Sequence, residues 1–244
     1  MRIAVLADVH ANRIALAAVL AEADRRGAAR LVCLGDFVGY YAQPNECIEL
    51  LADRGAEGVI GNHDLGALGV QDPLASRAAS EMQAWTAGQL TPASVAFLRA
   101  LPPRREFAWG SAVHGCFINP RHSTGYITAT MAASNLACLS DGRAGGRVGL
   151  FGHTHMPAVY CTQWESDLPA SGTLQLPRNG VALANPGAVG QPRDGDPRAA
   201  FALLDLEDWT LEFLRVPYDV DEAVRLMLCA GVDPTLAERL RIGR

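Results

Sequence analysis

The apolar runs in this chain are short, and they end abruptly on polar residues. Ile3 to Ala7 stops at Asp8, Leu31 to Leu34 at Gly35 and Asp36, and Val59 and Ile60 at Gly61, Asn62 and His63. Ala112 and Val113 stop at His114, Val148 to Phe151 at Gly152 and His153, and Val181 to Ala184 at Asn185 and Pro186. Runs of this length bounded by turn residues predict strands buried on both faces. Helical patterns lie between the early ones. Asn12 caps a helix reaching about Arg26, with Gly27 just beyond, and Pro44 opens a second that ends near Arg54. Strand–helix–strand alternation predicts crossover units and a largely parallel sheet, hence an α/β fold.

The middle of the chain predicts three helices: Ser76 to Gln89, a second from Thr91 and Pro92 to the stop at Pro102, and Thr128 to Leu139. The last third changes character. Strands are predicted at Ala158 to Thr162, Thr173 to Leu176, Val181 to Ala184, Ala199 to Leu204 and Thr210 to Val216. Gln191 to Arg198 is rich in hairpin-loop residues, so these strands predict a second sheet packed on the first. Asp219 and Asp233 start two terminal helices, over about 219–244. No repeat or composition break divides the 244 residues, and one domain spanning 1–244 is expected.

Composition narrows the function classes. Net charge is −5, so a general nucleic-acid or membrane-surface binder is not expected; phosphate backbones are held by clustered Lys and Arg. The six cysteines form no CxxC pair, and free thiols in a reducing compartment are expected. The first apolar run reaches Asp8 too soon for a signal-peptide core, and no run is long enough to span a bilayer, so the expected location is the cytoplasm.

The chemistry lies at the strand ends. Asp8 and His10 are two residues apart, and in an extended segment both point the same way and reach one ion. Alone, Asp8 reads better as a helix cap. Asp36 has two carboxylate oxygens, enough to bridge two cations, although a lone Gly-Asp is a common turn. Asn62 offers a neutral oxygen and leaves His63 free, but Asn in such a stretch also suits a turn. A lone His114 is more often structural. His153 and His155 flank Thr154 and again share a face. Together these residues say more than each does alone: five of the six histidines, His10, His63, His114, His153 and His155, stand at strand ends. In open α/β sheets those ends define the ligand crevice. A mixed Asp, Asn and His set suits first-row transition ions better than calcium or magnesium.

The order Asp-x-His, Gly-Asp, Gly-Asn-His-Asp, His, Gly-His-x-His resembles the calcineurin-like metallophosphoesterase superfamily. The stretches Gly35 to Tyr40, Pro44 to Cys47 and Asn185 to Arg198 are similar to its small bacterial and archaeal phosphodiesterase-type branch. The resemblance implies a four-layer α/β/β/α sandwich, two mixed sheets flanked by helices. It implies two divalent ions, manganese first, with iron, zinc, nickel and cobalt as alternatives. Asp8, His10 and His155 would hold one ion, Asn62, His114 and His153 the other, and Asp36 would bridge them. His63 would face the leaving-group oxygen, with Asp64 orienting its imidazole. The implied activity is a dinuclear-metal phosphoesterase acting on a phosphomonoester or phosphodiester by attack of a metal-bridging hydroxide.

Asn12, Tyr40, Arg121 and Arg193 are candidate substrate contacts, with Tyr41, His122 and Tyr126 also near the expected rim. Asn12 reads equally well as a helix cap. The sequence departs from the branch at Cys116, where Ser is usual, and at Ala11, where Gly is usual. The expected partner is a small phosphorylated substrate, with no nucleic acid and no membrane; a homo-oligomer is compatible with the sequence. A second reading is a non-catalytic scaffold of the same fold, against which stand His63 and all seven candidate ligands. A third, an amide or lactone hydrolase, is disfavoured by the ligand order.

Overall fold

The structure is a computed structural model that describes residues 1–70, 77–121, 124–141, 146–162 and 172–244. In chain order it runs β1 (Arg2–Leu6), α1 (Arg13–Arg25), β2 (Arg30–Cys33), α2 (Pro44–Asp53), β3 (Glu57–Gly58), α3 (Asn62–Ala67), α4 (Arg77–Gln89) and α5 (Pro92–Ala100). There follow β4 (Arg104–Phe107), β5 (Gly110–Val113), α6 (Ala129–Ser140), β6 (Val148–Leu150), β7 (Ala158–Cys161), β8 (Gly172–Gln175) and β9 (Ala182–Asn185). The chain closes with β10 (Ala199–Asp205), β11 (Thr210–Val216), α7 (Val220–Cys229) and α8 (Pro234–Ile242).

Two mixed sheets result. One has the order β3-β2-β1-β10-β11-β8, the other β4-β5-β6-β9-β7. In the first, β3, β2 and β1 are parallel and the remaining pairs antiparallel. In the second, β5, β6 and β9 are parallel between antiparallel edges. Alternation along β1 shows how they stack. Ile3, Val5 and Ala7 pack into the layer shared with Ala112, Leu150 and Ala184 of the second sheet. Ala4 and Leu6 point the other way, onto Leu16, Val19 and Leu20 of α1 and Ile48 and Leu51 of α2. On the outer face of the second sheet, Val113, Phe151 and Leu183 meet Leu136 and Leu139 of α6. The molecule is therefore a helix–sheet–sheet–helix sandwich, the four-layer fold the resemblance implied.

Local chemistry sets the helix starts. Asn12 accepts a hydrogen bond from Ala15 N, Thr91 from Ser94 N and Asp219 from Glu222 N; Pro44, Pro92 and Pro234 occupy first turns. Three expectations need correction. The strand predicted at Val59 and Ile60 lies at Glu57–Gly58, and Asn62, which also suited a turn, opens α3. The last-third strands do not form one separate sheet: β8, β10 and β11 join the first sheet and β7 and β9 the second. Gln191 to Arg198 is accordingly no hairpin loop but the passage from one sheet to the other. It is held there by Val189 N and Gly190 N, which donate to Ala7 O and Asp8 O. Ser76, proposed as the start of α4, and His122 lie outside the described residues.

Leu204 of β10 is fully buried between the sheets. Leu204→Ala should destabilise the protein by about 2–5 kcal/mol, read as a fall in the urea midpoint. A loss below about 1 kcal/mol would show the inter-sheet layer to be poorly packed.

Candidate metal centre

The carboxyl ends of the parallel strands of both sheets face one crevice. The loop after β1 brings Asp8 and His10, that after β2 brings Asp36, and the start of α3 brings Asn62 and His63. The loops after β5 and β6 bring His114 and the pair His153 and His155. All are buried; Asp8, His10 and Asp36 are 0% exposed. Ligand-capable atoms of Asp8, His10, Asp36 and His155 lie within 4.8 Å of one another, and so do those of Asp36, His114 and His153. Asp36 belongs to both groups. Asn62 Oδ1 lies 3.0 Å from His114 Nε2 and so adjoins the second group.

These side chains do not converge for the reason read from sequence. Asp8 and His10 are not in extended backbone: their φ values are 53° and 50°. Among the described residues eight non-glycines have positive φ, and seven are at this site: Asp8, His10, Ala11, Asp36, Tyr40, His153 and His155. Left-handed backbone costs an L-residue roughly 1–2 kcal/mol, and such strain concentrates at functional sites. Hydrogen bonds hold it in place. Asp8 N, His10 N and Ala11 N donate to Gly35 O, Asp36 O and Phe37 O, locking the first loop onto the second. His153 N donates to both Asp8 oxygens at 3.2 Å. Gly61 allows a close approach: a Cβ there would sit 2.1 Å from Asp36 Oδ1.

Asp64 departs from its expected role. Its carboxylate accepts hydrogen bonds from Asp36 N and Gly61 N at 2.9 Å and from Val38 N at 3.2 Å. It therefore ties two loops together by their backbones and does not orient the His63 imidazole, whose Nδ1 has no hydrogen-bond partner among the described residues. His63 is fixed instead by its backbone, N donating to Asp36 Oδ1 at 2.8 Å, and by Tyr40, whose ring lies 4.4 Å from its own.

The donor set fits a cation. His10, His114 and His155 each direct Nδ1 at a backbone carbonyl: Val38 O at 3.3 Å, Leu34 O at 2.7 Å and Gln191 O at 2.6 Å. Those carbonyls accept the ring proton, which leaves the Nε2 lone pairs directed inward. His10 Nε2 and His155 Nε2 then stand 3.1 Å apart, acceptor against acceptor. His153 Nε2 is a further buried ring nitrogen without a hydrogen-bond partner among the described residues.

Electrostatics agree. Burial pushes the Asp8 carboxyl up to about 7, and neighbouring Asp36 adds to the shift. Burial opposes charge on His114 too, but the Asp36 carboxylate 3.3 Å away outweighs it and raises the imidazole to about 9. The attraction is mutual: burial works against Asp36, yet His114 keeps its carboxyl well below the usual range. Burial lowers His153 to about 3 and His63 to about 4. At neutral pH the metal-free site thus holds His114 as an imidazolium on Asp36, and the other histidines are neutral.

A cavity of about 330 Å³ opens over the centre, lined by Asp36, Asn62, His63, His153 and His155 and walled by Tyr40, Tyr126 and Arg193. Two expected substrate contacts are absent from it. Asn12 is spent on the helix cap and on Gly190 O, to which its Nδ2 donates at 3.1 Å. Arg121 is exposed and does not line the cavity. Two supporting residues went unread. Asn185 Nδ2 donates to Gly152 O and Thr154 Oγ1, and so fixes the loop carrying His153 and His155. Gln191 offers its carbonyl to His155. Asn185 ends an apolar run as the ligands do, which was the available signal.

A family model described as calcineurin-like phosphoesterase superfamily domain matches residues 1–209. The chain belongs to this superfamily. Uncharacterized protein MJ0912 of Methanocaldococcus jannaschii is 35% identical over 246 residues, covering 99% of this chain and 98% of that protein. A metallophosphoesterase structure from Sphaerobacter thermophilus matches with 35% identity and a TM-score of 0.88, covering 100% of this chain and 99% of that one. The structure of hypothetical protein PH1004 from Pyrococcus horikoshii, 21% identical, shares the fold at a TM-score of 0.80 over 100% of this chain and 98% of its own. Membership in this phosphoesterase superfamily supports a hydrolase, and superfamily and donor set alike imply divalent metal. No helix among the described residues is long and apolar enough to cross a membrane.

Metal binding must displace the protons these groups carry. Since His114 is held to about 9 and Asp8 to about 7, affinity should fall as pH drops. The logarithm of the apparent affinity should have a slope of about one between pH 9 and 7, steepening towards two below 7. Competition against a chelating dye measures it; a flat profile would place the bound metal elsewhere.

Proposed function

We propose that this protein is a dinuclear-metal phosphoesterase that hydrolyses a small phosphomonoester or phosphodiester. The observation that carries the reading is the overlap of two acceptor groups on one carboxylate, Asp36, beneath a cavity lined by His63. Asp8, His10 and His155 would hold one ion, Asn62, His114 and His153 the other, with Asp36 common to both. Manganese is the first choice, with iron, zinc, nickel or cobalt also suited to this mix of imidazole and oxygen donors. Bound there, the ions would supply Lewis-acid stabilisation of phosphoryl charge and a water nucleophile competent at neutral pH.

The chain's own residues do the rest. The Nδ1–carbonyl bonds of His10, His114 and His155 fix the ring orientations, so no reorganisation is needed when charge develops. Two carboxylates, Asp8 and Asp36, against two divalent ions would leave the centre positive by about two charges, which would reconcile an acidic protein with an anionic substrate. His63 lines the cavity and is uncharged at neutral pH, because burial outweighs the pull of Asp36. Its role would be to donate a ring N–H hydrogen bond to the leaving oxygen. The cavity volume suits a phosphoryl group with a modest substituent.

His63→Ala should leave the metal content intact and lower turnover of aryl phosphate esters by a factor of roughly 10²–10⁴, most for poor leaving groups. Loss of metal in that variant would make His63 a ligand and overturn its role. Asp36→Ala should remove both ions together, measured by elemental analysis after gel filtration; retention of a full complement would exclude a shared carboxylate. Absence of turnover by wild-type protein loaded with manganese, nickel, cobalt or iron would favour the scaffold reading.

A further inference from the structure

Arg193 sits in the cavity wall outside any salt bridge among the described residues. Arg2, Arg26, Arg30 and Arg215 each pair with an Asp or Glu. Arg193 pairs with no carboxylate among the described residues. Its Nη2 donates to Gln191 Oε1 at 2.9 Å and to the Tyr40 hydroxyl at 3.4 Å, and its buried Nε has no hydrogen-bond partner among the described residues. The guanidinium carbon lies 5.9 Å from the centre of the Tyr40 ring. The backbone here is fixed separately: Arg193 N donates to His155 O at 3.3 Å, directly after Pro192. A guanidinium that is positioned, partly desolvated and not neutralised is built to receive an anion.

The form of that anion follows from counting oxygens and charges. A phosphomonoester near neutral pH carries close to two negative charges on three non-ester oxygens. A diester carries one charge on two such oxygens, and its third position bears a substituent that accepts only weakly. The centre beneath the cavity, once loaded with metal, would already supply cations for a singly charged ester. An added fixed cation in the wall is of use mainly to the additional charged oxygen. Building on the phosphoesterase reading, we infer that Arg193 selects a phosphomonoester dianion, pairing its guanidinium with the oxygen that a diester has esterified. Tyr40 and Gln191 are the positioning residues that hold the guanidinium in the cavity wall.

The test separates this inference from the reading beneath it. Binding of phenylphosphonate, a dianion at pH 8, and of its monomethyl ester, a monoanion, is measured by calorimetry on manganese-loaded wild type, Arg193→Gln and Arg193→Lys. Metal content is determined in each. Because the bond to His155 comes from the Arg193 backbone, both variants should keep their metal. Arg193→Gln should weaken phenylphosphonate on the order of 10- to 100-fold and the methyl ester less than about threefold, since hydrogen bonds to charged groups are the strong ones. Arg193→Lys, keeping the charge without the fork, should fall between. Equal weakening of both ligands, no weakening of either, or metal loss in both variants would overturn the inference. In parallel, kcat/KM for p-nitrophenyl phosphate should drop more than that for bis-p-nitrophenyl phosphate. If wild type turned over neither ester, the phosphoesterase reading would fail while the binding comparison still judged Arg193.

Discussion

Buried hydrogen-bond acceptors do not gather without something positive to face. Here Asp8, Asp36, Asn62, His10, His114, His153 and His155 converge with almost no side-chain donor among them. Outside this crevice, burying so many unpaired lone pairs and two carboxylates would be prohibitive. The backbone carbonyls of Leu34, Val38 and Gln191 resolve the tautomer in favour of inward-facing lone pairs. In the metal-free protein a proton on His114 supplies part of the missing positive charge. A pair of cations would supply all of it. The rest of the structure serves this convergence.

It does so through strain held by architecture. The sheets present loops from one edge, and those loops are tied to one another by hydrogen bonds, Gly152 N to His114 O and Gly190 N to Asp8 O within each sheet and His153 N to the Asp8 carboxylate between them. Seven left-handed residues are thereby fixed in a conformation that an isolated segment would leave. Asp64 shows the division of labour. A buried carboxylate beside the centre is used to clamp three backbone amides, so that the neighbouring Asp36 and His63 arrive in register.

Much of this was legible in the sequence, for physical reasons. Strands end where apolar runs meet Asp, Asn or His, and helices start at Asn12, Pro44, Thr91 and Asp219 because caps and first-turn prolines act locally. What failed was non-local. Gly172–Gln175 and Ala182–Asn185 look alike as strands, yet they belong to different sheets, and only tertiary pairing distinguishes them. Arg104–Phe107 escaped notice because an edge strand with charged side chains lacks the apolar signature. The Asp-x-His spacing brings Asp8 and His10 to one crevice by another geometry than the one expected, since period-two reasoning does not apply to left-handed backbone. Asn12 and Arg121 show that polarity near a motif does not place a side chain in its cavity, whereas Tyr40 and Arg193 do line it.

The functional account rests on one carboxylate serving two cations. Anomalous diffraction from crystals soaked in manganese measures this directly. The account predicts two peaks, one among Asp8, His10 and His155 and one among Asn62, His114 and His153, with Asp36 touching both. A single peak, or peaks away from Asp36, would contradict it.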